Sequence, residues 1–215
     1  MFAGGGAADA PAASGGALGR GARAEWLDWD AYCQDLQSRR EGLRGAQCWK
    51  LVRRQHFAAG SPLREAVWRR DWEAAAELIE QQRLSVRRSV EADRRRGGRF
   101  RCVRVVDEPL SVCLQWELRS LRAQAECGAA VRVVPSSVLG GLECHARLPE
   151  VVVLGERTLY EIVRDDRGVA VGAYRRRDAA AAGNWAEFLG QFYALGEDVR
   201  AFADRRVPDL PRRPE

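Results

Sequence analysis

A short apolar run that stops abruptly constrains this fold more than any other feature. Residues 100–106, FRCVRVV, have the composition of a buried strand. Asp107, Glu108 and Pro109 end this strand, and a helical pattern follows directly after them. Ligands of open α/β sheets bind outside the carboxyl ends of the strands, so this turn is a candidate site. The succession of strand and helix predicts an α/β protein with a partly parallel sheet.

The pattern downstream of Gly97 and Gly98 supports the same fold class. Apolar runs and helical periodicity predict strand 100–106, helix 110–127, strand 131–134, a short helix at 136–143, strand 151–154, a hairpin of 157–163 with 169–174, and helix 179–205. These elements predict an α/β (α+β-like) fold, with a mixed sheet of about five strands and flanking helices.

The remainder of the chain divides by composition. Residues 1–24 are rich in Gly and Ala and carry almost no bulky apolar side chain, which predicts a disordered tail. Residues 25–97 show mainly helical spacing of apolar residues, and we expect a helical lobe there, within which QCWKLVRRQHF (47–57) is a short strand or an extended segment. The α/β domain then spans residues 98–207, and residues 208–215 form a second tail.

Composition also bears on the compartment and on several kinds of site. No apolar run approaches the roughly 18 residues that a membrane helix needs, and no secretion signal precedes the six cysteines, so we expect a cytoplasmic protein with reduced thiols and no membrane contact. The chain has two histidines, His56 and His145, and none of the common enzyme motifs. A non-catalytic module without metal or cofactor is therefore favoured over an enzyme.

The predicted helix 110–127 carries an acidic residue on its apolar face. Its leucines form one stripe on a helical wheel, and Glu117 falls inside that stripe. A carboxylate in this position is either a buried acid or ligand anchor, or the partner of an arginine such as Arg101 or Arg104. Trp116 points away from the stripe, toward either solvent or the helical lobe.

The two carboxylates at the turn also allow two interpretations. Asp107 and Glu108 would cap the free N–H groups of the following helix, with Pro109 in its first turn. Alternatively, they belong to a binding site at the strand end. The candidate ligand or partner site comprises Asp107, Glu108, Gln115, Trp116, Glu117 and Arg119.

Arginine supplies nearly all of the positive charge. The formal net charge is +5, Lys50 is the single lysine, and residues 87–101 form a dense arginine run. Such a run is typical of a solvated helix end, or it binds nucleic acid or phosphate groups. The candidate nucleic-acid or phosphate contacts are Arg94, Arg95, Arg96 and Arg99.

Four segments carry a resemblance to a known family: VRVVDEPLS (103–111), LQWEL (114–118), LPEVVVLG (148–155) and GEDV (196–199). They are similar to the actinobacterial domain of unknown function 6879, over a span from about Trp49 to Leu210. The resemblance implies a cytoplasmic actinobacterial protein whose relatives are often encoded near helix-turn-helix regulators and have no assigned activity.

This chain departs from that family pattern on one helix. An aromatic residue is common in the family where Cys113 stands, and histidine where Arg119 stands. A looser resemblance is to one half of a phospholipase D-like domain, whose catalytic centre uses a His-x-Lys motif and a downstream aspartate. His145 and Arg147 precede a predicted strand, but arginine replaces lysine and no aspartate follows as expected, so this resemblance implies at most a diverged enzyme.

Three functions are therefore hypotheses. The first is a regulatory module that binds a protein partner, such as a helix-turn-helix regulator, through the tryptophan-rich helical lobe and the region from Asp107 to Trp116. The second is an arginine-dependent binder of nucleic acid or of a ligand that bears phosphate. The third is a diverged phospholipase D-like enzyme.

Overall fold

A computed structural model describes residues 24–55, 61–143 and 146–208. The strands are β1 (Glu25–Asp28), β2 (Gln47–Val52), β3 (Arg99–Val106), β4 (Ala130–Pro135), β5 (Val151–Leu154), β6 (Thr158–Arg164), β7 (Ala170–Arg177) and β8 (Glu197–Asp198). The helices are α1 (Trp29–Gly42), α2 (Pro62–Trp68), α3 (Trp72–Arg95), α4 (Val112–Glu126), α5 (Ala179–Leu195) and α6 (Val199–Arg206), and a 3-10 helix spans Ser136–Glu143. The predicted tails lie outside the described residues except for Ala24 and Pro208.

The described strands form one mixed sheet in the order β1-β7-β6-β5-β2-β3-β4-β8. Strands β2, β3 and β4 run parallel, and the other neighbours are antiparallel. The mixed α/β class is as predicted, but eight strands replace the five or so expected. The short strands β1 and β8 carry too little apolar periodicity to be recognised, and β2 lies within the expected helical lobe. The sheet therefore crosses the predicted boundary at residue 97.

Helices cover both faces of the sheet, but unequally. Helix α5 packs on one face, over β2, β3 and β5. On the second face, α1 packs against β5, β6 and β7, while α4 and α6 pack against β3 and β4. Helices α2 and α3 form a hairpin that packs against the far side of α4. The middle of the second face consequently lies beneath α3, between α1 and α4.

The long helix predicted at 179–205 is in fact two helices, α5 and α6. Gly196 follows α5 and packs so closely on β4 that an added Cβ would lie 3.0 Å from the Cβ of Arg132. Asp198 then caps α6 by accepting the backbone N–H of Arg200 at 2.9 Å. The aromatic stripe continues through the break, with Phe192 and Phe202 both buried, which is why the helical period conceals the break.

Asp35 links α1 to the sheet. Its carboxylate accepts hydrogen bonds from Arg39 at 2.9 Å, from the Tyr160 hydroxyl at 2.7 Å and from Arg175 at 2.6 Å. Burial by itself would raise the pKa of Asp35, but these hydrogen bonds outweigh burial and hold the pKa at about 2. The ionised form is therefore the one that joins helix and sheet.

We expect Asp35→Asn to lower the free energy of unfolding by on the order of 2 kcal/mol near neutral pH. Because the pKa is lower in the folded protein than the ordinary value of 3.8, the carboxylate stabilises the fold above that pH, and its contribution is lost as pH falls toward about 2. Urea unfolding along a pH series measures this: the gap between wild type and variant should narrow in acid. A gap that does not change with pH, or one that the exposed Asp166→Asn variant reproduces, would contradict it.

Candidate ligand-binding cavity

A cavity of about 480 Å³ lies between the second sheet face and helices α1 to α4. This volume is within the range of small-molecule sites in proteins. The floor includes Lys50 of β2, Cys102 of β3 and Ile162 of β6. The roof is one stripe of α3, which comprises Gln82, Val86, Ser89, Val90 and Asp93.

The composition of the lining explains why the space is not filled. The roof residues recur at helical spacing and face inward, yet several are small or polar, where a packed core would place large apolar side chains. Helix α4 faces the roof residues of α3 with Cys113, Ser120 and Gln124, which are also small or polar. The helices are held apart by their neighbours, so the small side chains leave a cavity instead of allowing collapse.

The cavity lining is electropositive. Three acidic residues, Asp93, Glu117 and Glu150, line it together with six basic residues. The basic residues are Arg40, Lys50, Arg64, Arg94, Arg99 and Arg164. An excess of cations in a concave, partly desolvated site attracts anions.

Each of the three acidic residues is engaged by an arginine. Glu117 accepts a hydrogen bond at 2.7 Å from Arg104, which is fully buried, and so the arginine pairing considered for Glu117 is present in the structure. Glu150 is paired with Arg164 at 2.6 Å. Asp93 is paired with Arg96 at 2.7 Å, and also with Arg40. The acidic charges are thus neutralised within the protein, and the net charge of the lining is positive.

Two cations whose side chains point into the cavity, Lys50 and Arg94, have no such partner among the described residues, and the Arg99 side chain lies on the opposite sheet face. Lys50 is solvent-exposed although it stands on a central strand, because its side chain points into the cavity. Arg94 is exposed at the opposite end, where its guanidinium lies next to Gly128. Within the described ranges, neither Lys50 nor Arg94 has a side-chain ion pair or hydrogen bond. Both are therefore available to a ligand.

Burial at the cavity alters two further groups. It lowers the pKa of the Arg64 guanidinium, an effect that the Glu117 carboxylate partly offsets. Burial also raises the pKa of the Cys102 thiol, which lies near Lys50 and Arg104. Charges at such a desolvated floor are screened less by water, so an anion there gains more than it would at an open surface.

The structure gives Asp107 and Glu108 different roles from helix capping. Ser111 is the N-cap of α4, and its hydroxyl accepts the backbone N–H of Leu114 at 3.3 Å. Asp107 forms an ion pair with the buried Arg53 at 3.0 Å, and Glu108 forms one with Arg206. The capping prediction was wrong because α4 begins at Val112, too far along the chain for either carboxylate to reach its free N–H groups.

The other candidate residues on α4 mostly make structural contacts. Trp116 is 5 % exposed and stacks on Trp72 of α3 with ring centroids 5.6 Å apart, so it faces the second layer and not solvent. Gln115 donates to the carbonyl of Leu110 at 3.1 Å, and Arg119 donates to the carbonyl of Pro208. Of the six proposed ligand or partner residues, only Trp116 and Glu117 line the cavity.

The four candidate arginines do not form a single patch. Arg94 lines the cavity, whereas Arg95 is exposed on α3 and Arg96 is paired with Asp93. Arg99 borders the cavity, but strand alternation places its side chain on the α5 face with Arg101, whose pKa is lowered by burial and by the nearby Arg99 charge. The four arginines therefore do not share one continuous surface.

Sequence reasoning did not identify Lys50 as a site residue. The one available signal was a lone lysine within QCWKLV, a segment otherwise suited to a buried strand.

The described residues include no group of three or more His, Cys, Asp or Glu side chains placed to hold a metal ion. His145, proposed for the phospholipase D-like alternative, lies outside them, and Arg147 is 3.8 Å from Asp107. No helix in the described ranges is both long and apolar enough to cross a membrane.

Comparisons with known proteins bear on the family and not on the ligand. No curated protein sequence matches this chain. Among solved structures, the chain is similar to TrmBL2, an archaeal chromatin protein whose structure shows a novel mode of DNA binding, with 8% sequence identity and a TM-score of 0.38. The similarity covers 82% of this chain and 54% of TrmBL2, so the chain spans about half the length of that protein.

A family model gives a more extensive match. The model described as domain of unknown function DUF6879 matches residues 35–204, a span that includes most of the cavity lining and most of the sheet. The segments on which the resemblance was first noted, at 103–111, 114–118, 148–155 and 196–199, all lie within this match. Since the match extends over well more than half of the sequence, the chain belongs to the DUF6879 family.

Proposed function

We propose that the protein binds a small anionic molecule with an apolar body in the cavity between the sheet and helices α1 to α4. The observation that carries this proposal is Lys50, an exposed lysine on a central strand whose side chain lines the cavity and has no ion-pair partner among the described residues. A cation without an internal partner at such a position is a natural contact for a ligand carboxylate or phosphate. The proposal differs from the arginine-dependent phosphate-ligand hypothesis, because its principal contact is Lys50 and not the arginine run.

The walls suit an aliphatic body better than a stacked aromatic ring. Val52, Val67 and Val86 contribute apolar surface to the lining. Two of the four aromatic rings there are already engaged, since the Arg40 guanidinium lies 4.7 Å from the centroid of Phe100 and Trp116 stacks on Trp72. Stacking of a ligand ring on Phe100 or Trp116 would require these contacts to break, whereas contact with the valines requires no rearrangement.

The protein-partner hypothesis stays a prediction, and no comparison bears on a helix-turn-helix regulator as the partner. The burial of Trp116 leaves it little surface to offer to a partner. Trp68 on α2 is 74 % exposed and is the tryptophan better placed for such a contact. A ligand-binding module and a partner-binding module are compatible roles, but the cavity argues directly for the first.

We expect Lys50→Met to weaken the binding of an amphiphilic anion by about tenfold, because a charge-assisted contact in the cavity is lost while the side chain keeps a similar length. The probe is anilinonaphthalene sulfonate, which combines a sulfonate with an apolar ring system and is followed by its fluorescence. Displacement by decanoate, an aliphatic carboxylate, measures the affinity of a ligand without rings.

Two controls separate cavity binding from nonspecific association. Arg157→Met removes an exposed cation at the turn between β5 and β6, outside the cavity, and should leave the affinity unchanged. N-phenylnaphthylamine, an uncharged relative of the probe, should bind Lys50→Met as well as it binds wild type. Equal binding of the anionic probe to wild type and Lys50→Met would overturn the proposed function.

A further inference from the structure

The two unpaired cations of the cavity stand at separate positions on the sheet. Lys50 of β2, Cys102 of β3 and Val131 of β4 lie side by side in the parallel register. Gly128, beside which the Arg94 guanidinium lies, precedes Val131 by three residues. Because Gly128 and Ala129 precede β4, that offset is at most about 10 Å along the strands, and the two strand spacings from β2 to β4 add about 10 Å across them.

The backbone positions of Lys50 and Gly128 are consequently up to about 14 Å apart on the sheet surface, from the strand rise and strand spacing. One carboxylate or phosphate group is too small to contact both cations at once. The surface between them is largely apolar or uncharged, with Cys102, Val131 and Val90 lining it.

We infer that the ligand carries two anionic groups, one at each end of an apolar chain, and that Lys50 binds one end and Arg94 the other. This inference rests on the proposed function and specifies its ligand class as an elongated α,ω-dianion. The charge of the lining agrees with it, because the arginine pairs of Asp93, Glu117 and Glu150 leave the two separated cations without internal partners. A ligand with a negative charge at each end neutralises the charges of both Lys50 and Arg94.

The proposed ligand class, an elongated dianion, is tested by comparing sebacate with decanoate. Sebacate has a carboxylate at each end of its chain, and decanoate has the same number of carbons but one carboxylate. Both displace anilinonaphthalene sulfonate in a competition titration. For wild type we expect sebacate to bind about fivefold more tightly than decanoate, the gain expected from a second, partly exposed ion pair.

Two variants assign the ends of the ligand. Arg94→Met should abolish the advantage of sebacate and leave decanoate binding unchanged, since Arg94 contacts only the second carboxylate. Lys50→Met should weaken both ligands. Arg94 is exposed, so its replacement is not expected to disturb folding.

The outcomes separate this inference from the proposed function. If decanoate binds in a Lys50-dependent manner but sebacate binds no better, or if Arg94→Met weakens both ligands alike, the dianion inference is overturned and the anion site stands. If neither ligand displaces the probe and probe binding is independent of Lys50, the proposed function fails and the inference fails with it.

Discussion

Glu117→Leu is expected to lower the free energy of unfolding by about 3–5 kcal/mol, the largest effect we predict for a single charge in this protein. The variant leaves the Arg104 guanidinium, which has no exposure to solvent, without its carboxylate partner at 2.7 Å. The backbone carbonyl of Val105, which accepts from the same guanidinium at 2.6 Å, satisfies a donor but does not neutralise the charge. The removal of this carboxylate from a buried cation is the cause of the loss.

Replacing both members of the pair tests that cause. We expect the double variant Arg104→Met with Glu117→Leu to be more stable than Glu117→Leu alone, because apolar side chains of similar volume need no partner. Urea unfolding of wild type, both single variants and the double variant completes a thermodynamic cycle. Additive losses in the double variant would show that the two side chains contribute through packing and not as a charge pair.

Trp116→Ala is expected to destabilise the protein by about 3–5 kcal/mol, the range found when a large aromatic residue is removed from a packed site. Trp116 is 5 % exposed, packs with Ala75 and Ile79, and stacks on Trp72. The substitution removes a stacked aromatic ring from the contact that joins the α2–α3 hairpin to α4. The roof of the cavity is part of that hairpin, so we expect anion binding to weaken as well.

The matched control is Trp68→Ala, at the end of α2. Trp68 is 74 % exposed, and we expect its removal to change stability by less than about 0.5 kcal/mol. Thermal and urea unfolding of the two alanine variants measure the contrast. Equal stability of the two variants would contradict the packing assigned to Trp116. If Trp116→Ala no longer binds a protein partner, the cause would be the loss of folded structure. If Trp68→Ala no longer binds it, the cause would be the loss of a direct contact between Trp68 and the partner.

The sequence predicted the local elements of the second half of the chain well, for an identifiable reason. The strand at 151–154 has the predicted bounds, and the strand at 100–106 is extended by only one residue, because continuous apolar runs signal strands buried on both faces. The helix at 110–127 was predicted two residues too early, since Pro109 fits a first helical turn as well as it fits a loop.

The candidate site was predicted only in part. Glu117 was recognised because a carboxylate on an apolar stripe conflicts with its surroundings, and Arg94 because it belongs to an arginine run. Asp107 looked functional from its position at a strand end, but its ion pair with Arg53 connects residues that are far apart in the sequence. No periodicity within either segment could have indicated that pairing.

The sequence by itself determined the elements whose signal is local: the buried strands, the amphipathic helices and the conflict at Glu117. Only the tertiary structure decided where β2 lies in the sheet, that Trp116 stacks on Trp72, and that Lys50 and Arg94 line one cavity. The physical reason is that strand order and helix docking bring together residues separated by many positions, and a cavity exists only where several such elements meet without filling the space between them.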